Sequence, residues 1–289
     1  MKFKIFNDKL TAIIDSKGAE LKSLVNGDIE YIWPGSEDSW NRSSPVLFPI
    51  VGSLKNKQTN ILGKTYYMNQ HGFLRDQEFL LVTQDCNKLV LEFISNDETF
   101  QMYPFKFKAL ITHELQNQTL TTTFTIINLD DKEMFFNIGG HPGFRCPLQP
   151  NEQFNDYRIE FEKSESFASP TVENDATLNF DLPYMIFKNL QTLHLDYDYF
   201  KVDAIVIPKV SSRYVKLLSK KNTGIKFSFK DFSSFAIWTH PKKAPFICLE
   251  PWIGYADRYD TDGEFTSKAD LVYLKSQQIF KCSYSIEII

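Results

Sequence analysis

The run Leu10-Thr11-Ala12-Ile13-Ile14-Asp15 closes at Ser16-Lys17-Gly18. Ala19-Glu20-Leu21-Lys22-Ser23-Leu24-Val25 follows and ends in Asn26-Gly27-Asp28. The second run alternates apolar with polar, and a period of two places one set of side chains on one face of a pleated strand. Asn-Gly beside such a run signals a hairpin, because its tight turn needs residues that accept positive φ. The rhythm continues outward. Strand-like segments at residues 30–34, 65–68, 78–84, 88–95, 100–111, 112–116 and 120–128 are broken by turn residues. Residues 203–207, 214–218, 225–229, 235–239, 246–252 and 280–289 repeat the pattern. Residues 41–57 read as a loop-rich connection in which Pro45 and Pro49 bracket an apolar stretch. Between residues 149 and 198 the pattern loosens, and long loops with a few strands are expected there.

No stretch sustains the i, i+3, i+4, i+7 apolar spacing of a long helix, no repeat has a fixed period, and no linker interrupts the chain. Many short strands with frequent turns argue for an all-β sandwich or barrel. We expect one domain over residues 1–289. Hydrophobic residues make up 43% of the chain and include 26 Phe, ample for a core. A net charge of -4 gives no broad positive field for nucleic acid or an anionic membrane. Small molecules are the expected partners. The four cysteines are far apart and form no CxxC pair, so neither a disulfide scaffold nor a zinc site is expected. The N-terminus lacks a signal-peptide h-region, and no run approaches the ~18 apolar residues of a membrane span. These features together suggest a cytoplasmic protein with reduced thiols.

Two stretches carry candidate chemistry. In Phe135-Phe136-Asn137-Ile138-Gly139-Gly140-His141-Pro142-Gly143-Phe144-Arg145-Cys146-Pro147, glycines and prolines crowd one histidine. Such a bend can hold an imidazole against a ligand, or it is a turn with an incidental histidine. In Phe246-Ile247-Cys248-Leu249-Glu250-Pro251-Trp252, apolar residues surround one carboxylate. A buried Glu250 must be paired or must rise in pKa, and a raised carboxylate is a competent base near neutrality. The alternatives are an edge glutamate facing solvent or a buried salt bridge. His71, within Gln70-His71-Gly72-Phe73-Leu74-Arg75-Asp76, and His240 have similarly motif-like surroundings, whereas His113 and His194 read as structural. No HxH or HxxxH spacing, no Gly-x-Ser-x-Gly elbow and no Gly-rich nucleotide loop is present. Glutamate, histidines and aromatic residues together suit proton transfer on a polar neutral ligand such as a sugar.

The chain resembles the aldose 1-epimerase (galactose mutarotase-like) family, and within it the LacX branch. The resemblance rests on residues 44–52 (Ser-Pro-Val-Leu-Phe-Pro-Ile-Val-Gly), residues 70–76, Gly139-Gly140-His141-Pro142-Gly143-Phe144 and residues 246–252, which follow one another in family order. It implies a β-supersandwich of mostly antiparallel strands and cofactor-free interconversion of the α- and β-anomers of a hexose such as galactose or glucose. By motif match, Glu250 is the base on the C1 hydroxyl and His141 the acid on the ring oxygen. His71 binds the sugar with Arg75 close by, and Trp252 and Asp203 are further substrate-binding candidates. Many relatives carry an arginine shortly after the first Phe-Pro, where this chain has Ser53, so either Lys55 or Arg75 substitutes, or the substrate is unusual, or the activity is weakened. Two alternatives accompany this reading. One is a hexose-6-phosphate 1-epimerase, with Arg42, Lys55, Arg75 and Arg145 as candidate phosphate ligands. The other is a carbohydrate-binding protein without catalysis. A monomer or homodimer is expected, and no metal site.

Overall fold

In the computed structural model, which describes residues 1–289, every pairing between named strands is antiparallel. The opening sequence forms a four-stranded sheet of Lys2–Phe6, Leu10–Asp15, Leu21–Asn26 and Ile29–Glu30. Asn26 pairs with Ile29 across the Gly27-Asp28 turn, and Gly27 takes the positive φ of 57° that the sequence anticipates.

Two larger sheets face each other. The nine-stranded sheet runs, in spatial order, through Leu178–His194, Arg158–Val172, Tyr214–Leu218, Gly224–Ser228, Ile279–Ile288, Thr119–Asn128, Phe107–Gln116, Lys88–Ile94 and Leu80–Gln84. The smaller sheet orders Ile205–Ile207, Ser234–Trp238, Phe246–Ile253, Ile138–Gly140 and Val46–Leu47, and Gly143–Arg145 also pairs with Phe246–Ile253. The sheets meet through aromatic side chains, Phe144 and Phe235 of the small sheet against Phe227 of the large one. A Cβ on Gly140 would lie 2.8 Å from the Tyr284 ring, so only glycine fits between the layers there. The expected all-β, mostly antiparallel supersandwich is the architecture found. One cluster of 63 buried residues fills it. No helix is long and apolar enough to cross a membrane.

Two local expectations change. The segment expected to hold long loops with a few strands forms one long hairpin of Arg158–Val172 and Leu178–His194. Its register shifts at several points and much of its surface is exposed, so no single face keeps the alternation that marks a half-buried strand. Residues 97–102 form a helical turn, Asp97–Met102, instead of the start of an extended run. Asn96 and Thr99 close a capping box there, and six residues are too few to display helical periodicity.

Candidate active site

The sequence motifs converge in one small sheet. Gly139 pairs with both Leu47 and Trp252, and Gly143 pairs with Cys248. The His141 N–H donates to the Pro45 carbonyl at 3.1 Å, and the Gly143 N–H to Ser43 at 2.8 Å. A Cβ on Gly139 would lie 2.8 Å from the Trp252 ring and 2.9 Å from the Pro251 carbonyl. The glycines therefore let the histidine bend press against the glutamate strand. The Gln70–Asp76 motif reaches the same place by another route. His71 and Gly72 both adopt left-handed backbone, φ 65° and 71°. The chain there wraps Phe48, whose carbonyl accepts from the N–H groups of Phe73 and Leu74. A Cβ on Gly72 would come within 2.2 Å of that carbonyl oxygen.

These elements enclose a cavity of about 250 Å³ lined by Trp40, Gln70, His71, Arg75, His141, Asp203, Trp238, Glu250 and Trp252, with small aliphatic residues on its remaining wall. His141 Nε2 stands 3.1 Å from Glu250 Oε2. The imidazole is boxed by rings. Trp40 stacks on it at 4.9 Å, while Trp238 and His71 meet it edge-on at 5.8 and 5.5 Å. His71 Nδ1 accepts the Gly52 N–H at 3.1 Å, so a neutral His71 carries its proton on Nε2, as a donor. Arg75 donates to the Gln70 carbonyl at 2.7 Å through one terminal nitrogen. Three buried polar atoms of these residues have no partner, His141 Nδ1, Trp252 Nε1 and Arg75 Nε, and Glu250 Oε2 makes no aligned hydrogen bond beyond its approach to His141. Buried polar atoms are normally satisfied, so their convergence on one cavity is the mark of a site built for a polar ligand.

Burial sets the electrostatics. It raises the Glu250 carboxyl well above the ordinary range, and the Asp203 carboxylate across the cavity adds to the rise. Burial first, and the Arg75 guanidinium after it, lower His141 to about 3. Burial also holds His71 well below its ordinary value, with His141 and Arg75 contributing. Asp203 rises by burial as well. Burial therefore favours the neutral pair, with the proton on the Glu250 carboxyl, over the ion pair. This differs by one proton transfer across 3.1 Å from the carboxylate and imidazolium that the motif match implies.

Of the sequence candidates, His71, Arg75, His141, Asp203, Glu250 and Trp252 line the cavity. Lys55 does not. Its backbone N–H donates to Asp257, the residue lines a separate polar groove with Asn56 and Asp262, and its charge acts on Asp175 and Asp260. Of the two cations expected near the Ser53 position, Arg75 lines the cavity and Lys55 does not. His240 follows the strand Ser234–Trp238 outside the cavity. His113 is buried, with its ring nitrogens against Thr122 Oγ1 and the Ala19 carbonyl, and His194 is exposed. Trp40, Gln70 and Trp238 were not singled out in the sequence. Gln70 adjoins His71 and was the easiest to find, whereas Trp40 lies in an irregular loop with no motif around it.

Three potential metal ligands meet here. His141, Cys248 and Glu250 place ligand atoms within 4.8 Å of one another. Burial raises the Cys248 thiol and the Glu250 carboxyl, so a metal would have to displace a proton from each. The arrangement fits proton exchange better than metal binding.

An antiparallel supersandwich with a carboxyl–imidazole pair in an aromatic-walled cavity is an arrangement suited to acid–base chemistry on small polar ligands. Comparison with known proteins places the chain in a family. A family model described as Aldose 1-epimerase matches residues 1–279, and the chain belongs to that family of carbohydrate epimerases. The plasmid and chromosomal LacX proteins of Lactococcus lactis subsp. lactis are each 32% identical to it over 298 residues, covering 100% of both chains. The galactose mutarotase related enzyme of Lactobacillus acidophilus superposes with TM-score 0.95 at 31% identity, covering 100% of this chain and 97% of that one. A galactose mutarotase-like protein of Lactobacillus casei superposes with TM-score 0.92 at 29% identity, covering 100% of both.

Proposed function

We propose that this chain is a cytoplasmic, cofactor-independent aldose 1-epimerase acting on a free hexose such as galactose or glucose. The observation that carries the reading is the approach of Glu250 and His141 to 3.1 Å in a buried cavity whose polar side-chain atoms are largely unpartnered. Glu250 takes the proton of the C1 hydroxyl while His141 gives one to the ring oxygen, and the C1–O5 bond breaks to leave an aldehyde. Rotation about C1–C2 presents the other carbonyl face. The O5 hydroxyl then attacks C1 as His141 takes its proton and Glu250 returns one to O1.

Ring opening leaves Glu250 protonated and His141 neutral, which is the distribution that burial favours. The cavity thereby stabilises the open-chain stage. A bound hemiacetal, donating from its C1 hydroxyl to Glu250 and accepting from His141 at its ring oxygen, favours the opposite distribution at the start. Because the two forms differ by one short transfer, neither end of the cycle is held in a deep well. Neutral His71 donates from Nε2 to a sugar hydroxyl, Arg75 to another, and the tryptophans pack on C–H faces.

A free sugar is favoured over a phosphorylated one because one cation reaches the cavity. Arg42 is paired with Asp76 at 2.6 Å, Lys55 lies elsewhere, and Arg145 is exposed. The three buried cysteines and the exposed Cys86 are all unpaired, in keeping with a reducing compartment. Polarimetry of fresh α-D-galactose, α-D-glucose and glucose 6-phosphate tests the reading. Acceleration of a free hexose is expected. Acceleration confined to the phosphorylated sugar would overturn it, and sugar binding without acceleration would make the chain a binding protein.

A further inference from the structure

The cavity is divided. Its unpartnered polar side-chain atoms belong to Arg75, His141, Glu250 and Trp252. Six further lining residues, Val172, Ala176, Leu178, Ala204, Val206 and Ala256, are aliphatic, and Asp203 beside Ala204 is the polar side chain next to them. Most of these pack as one apolar cluster with Trp252 and Trp238. None of the six side chains can hydrogen-bond, and four of the backbone N–H groups behind them are already taken. The N–H groups of Ala176, Leu178, Ala204 and Val206 donate to Glu173, Asp257, Asp203 Oδ1 and Ser169 Oγ, and the Leu178 carbonyl accepts from Tyr259. Trp40, Trp238 and Trp252 already provide faces for the C–H surface of a ring. The aliphatic wall is therefore additional to what a sugar face needs. A sugar with hydroxyls around its whole rim must turn one of them to this wall and leave it unpaired.

Resting on the epimerase reading, we propose that the preferred substrate is a deoxy aldose, with a methyl or methylene group against the Val172–Leu178 hairpin tip where a hexose carries a hydroxyl. The tip is a fixed part of the wall, because Leu178 is tied by its backbone to Asp257 and Tyr259. Two of its side chains, Val172 and Ala176, are only half-buried and can be replaced without opening the core.

The test compares kcat/KM for anomerisation, each normalised to the spontaneous rate. The sugars are D-galactose with its 6-deoxy and 2-deoxy forms, and D-glucose with the same pair. At least one deoxy sugar should exceed its parent by about tenfold, the scale on which an apolar pocket separates such analogues. Val172→Thr and Ala176→Ser each place a hydroxyl on the wall and should move that ratio toward one by improving the parent hexose. Parents turned over as fast as all their deoxy forms would overturn the inference and leave the epimerase reading standing. Acceleration of none of the six sugars would overturn both.

Discussion

Replacing Lys268 with Met tests how the cavity is held. Lys268 and Asp257 form an ion pair of 2.7 Å with side-chain exposures of only 2% and 3%. Lys268 Nζ also donates to the Tyr255 carbonyl, and the second Asp257 oxygen accepts the Lys55 N–H. The Asp257 backbone ties Ser53 to Leu178, so one residue joins the Gly52 side of the cavity to the hairpin tip. Lys268→Met leaves a buried carboxylate without its counter-charge, a loss of about 3–5 kcal/mol. At about 2.1 cal/mol/K per residue, the 289 residues give an unfolding entropy of about 0.6 kcal/mol/K. Tm should then fall by about 5–8 °C in calorimetry. Adding Asp257→Asn removes the stranded charge and keeps an acceptor for Lys55, so the double variant should regain part of the loss. A Tm within about 1 °C of wild type for Lys268→Met, or a double variant less stable than the single, would refute the reasoning.

Acid should weaken the fold through buried histidines. Burial holds His113 at about 4, His141 at about 3 and His71 well below 6.5, so between pH 6.5 and 4 the unfolded chain binds more protons and stability falls with pH. His113 alone contributes about 3 kcal/mol to that loss. Glu250, raised by burial, opposes it in the same window. The urea midpoint should be lower at pH 5 than at pH 7, and an equal or higher value would contradict the burial of neutral imidazoles. Lys55→Ala should leave KM within about twofold, because the side chain lies outside the cavity, whereas Arg75→Ala should raise it at least tenfold, the cost of a lost charged hydrogen bond. His141→Asn should reduce turnover by about 10²-fold or more in stopped polarimetric assays.

The fold was legible where strands are half-buried. Residues 10–25 alternate because one face meets the core, and the Asn26-Gly27 turn marks its own geometry. The long hairpin was hidden because its outer strand is exposed along most of its length and its register is bulged. That hairpin supplies Val172, Ala176 and Leu178 to the cavity, so the apolar wall was invisible in the sequence. His71, His141 and Glu250 stood out because glycine or a surrounding apolar run sets each apart. Lys55 misled for a plain reason. It lies close in sequence to the position of the missing arginine, but residues 55–57 turn away from the cavity, with Asn56 and Lys57 in left-handed backbone. Arg75 is distant in sequence from that position and close to the cavity in space.

The central claim is that Glu250 and His141 exchange protons with a hemiacetal. It is tested most directly by polarimetry of freshly dissolved α-D-galactose and α-D-glucose with wild type and Glu250→Gln side by side, after subtraction of the spontaneous rate. The account predicts acceleration of at least one sugar by wild type and none by Glu250→Gln, with sugar affinity kept within a few-fold by calorimetry. Equal acceleration by both proteins would contradict it.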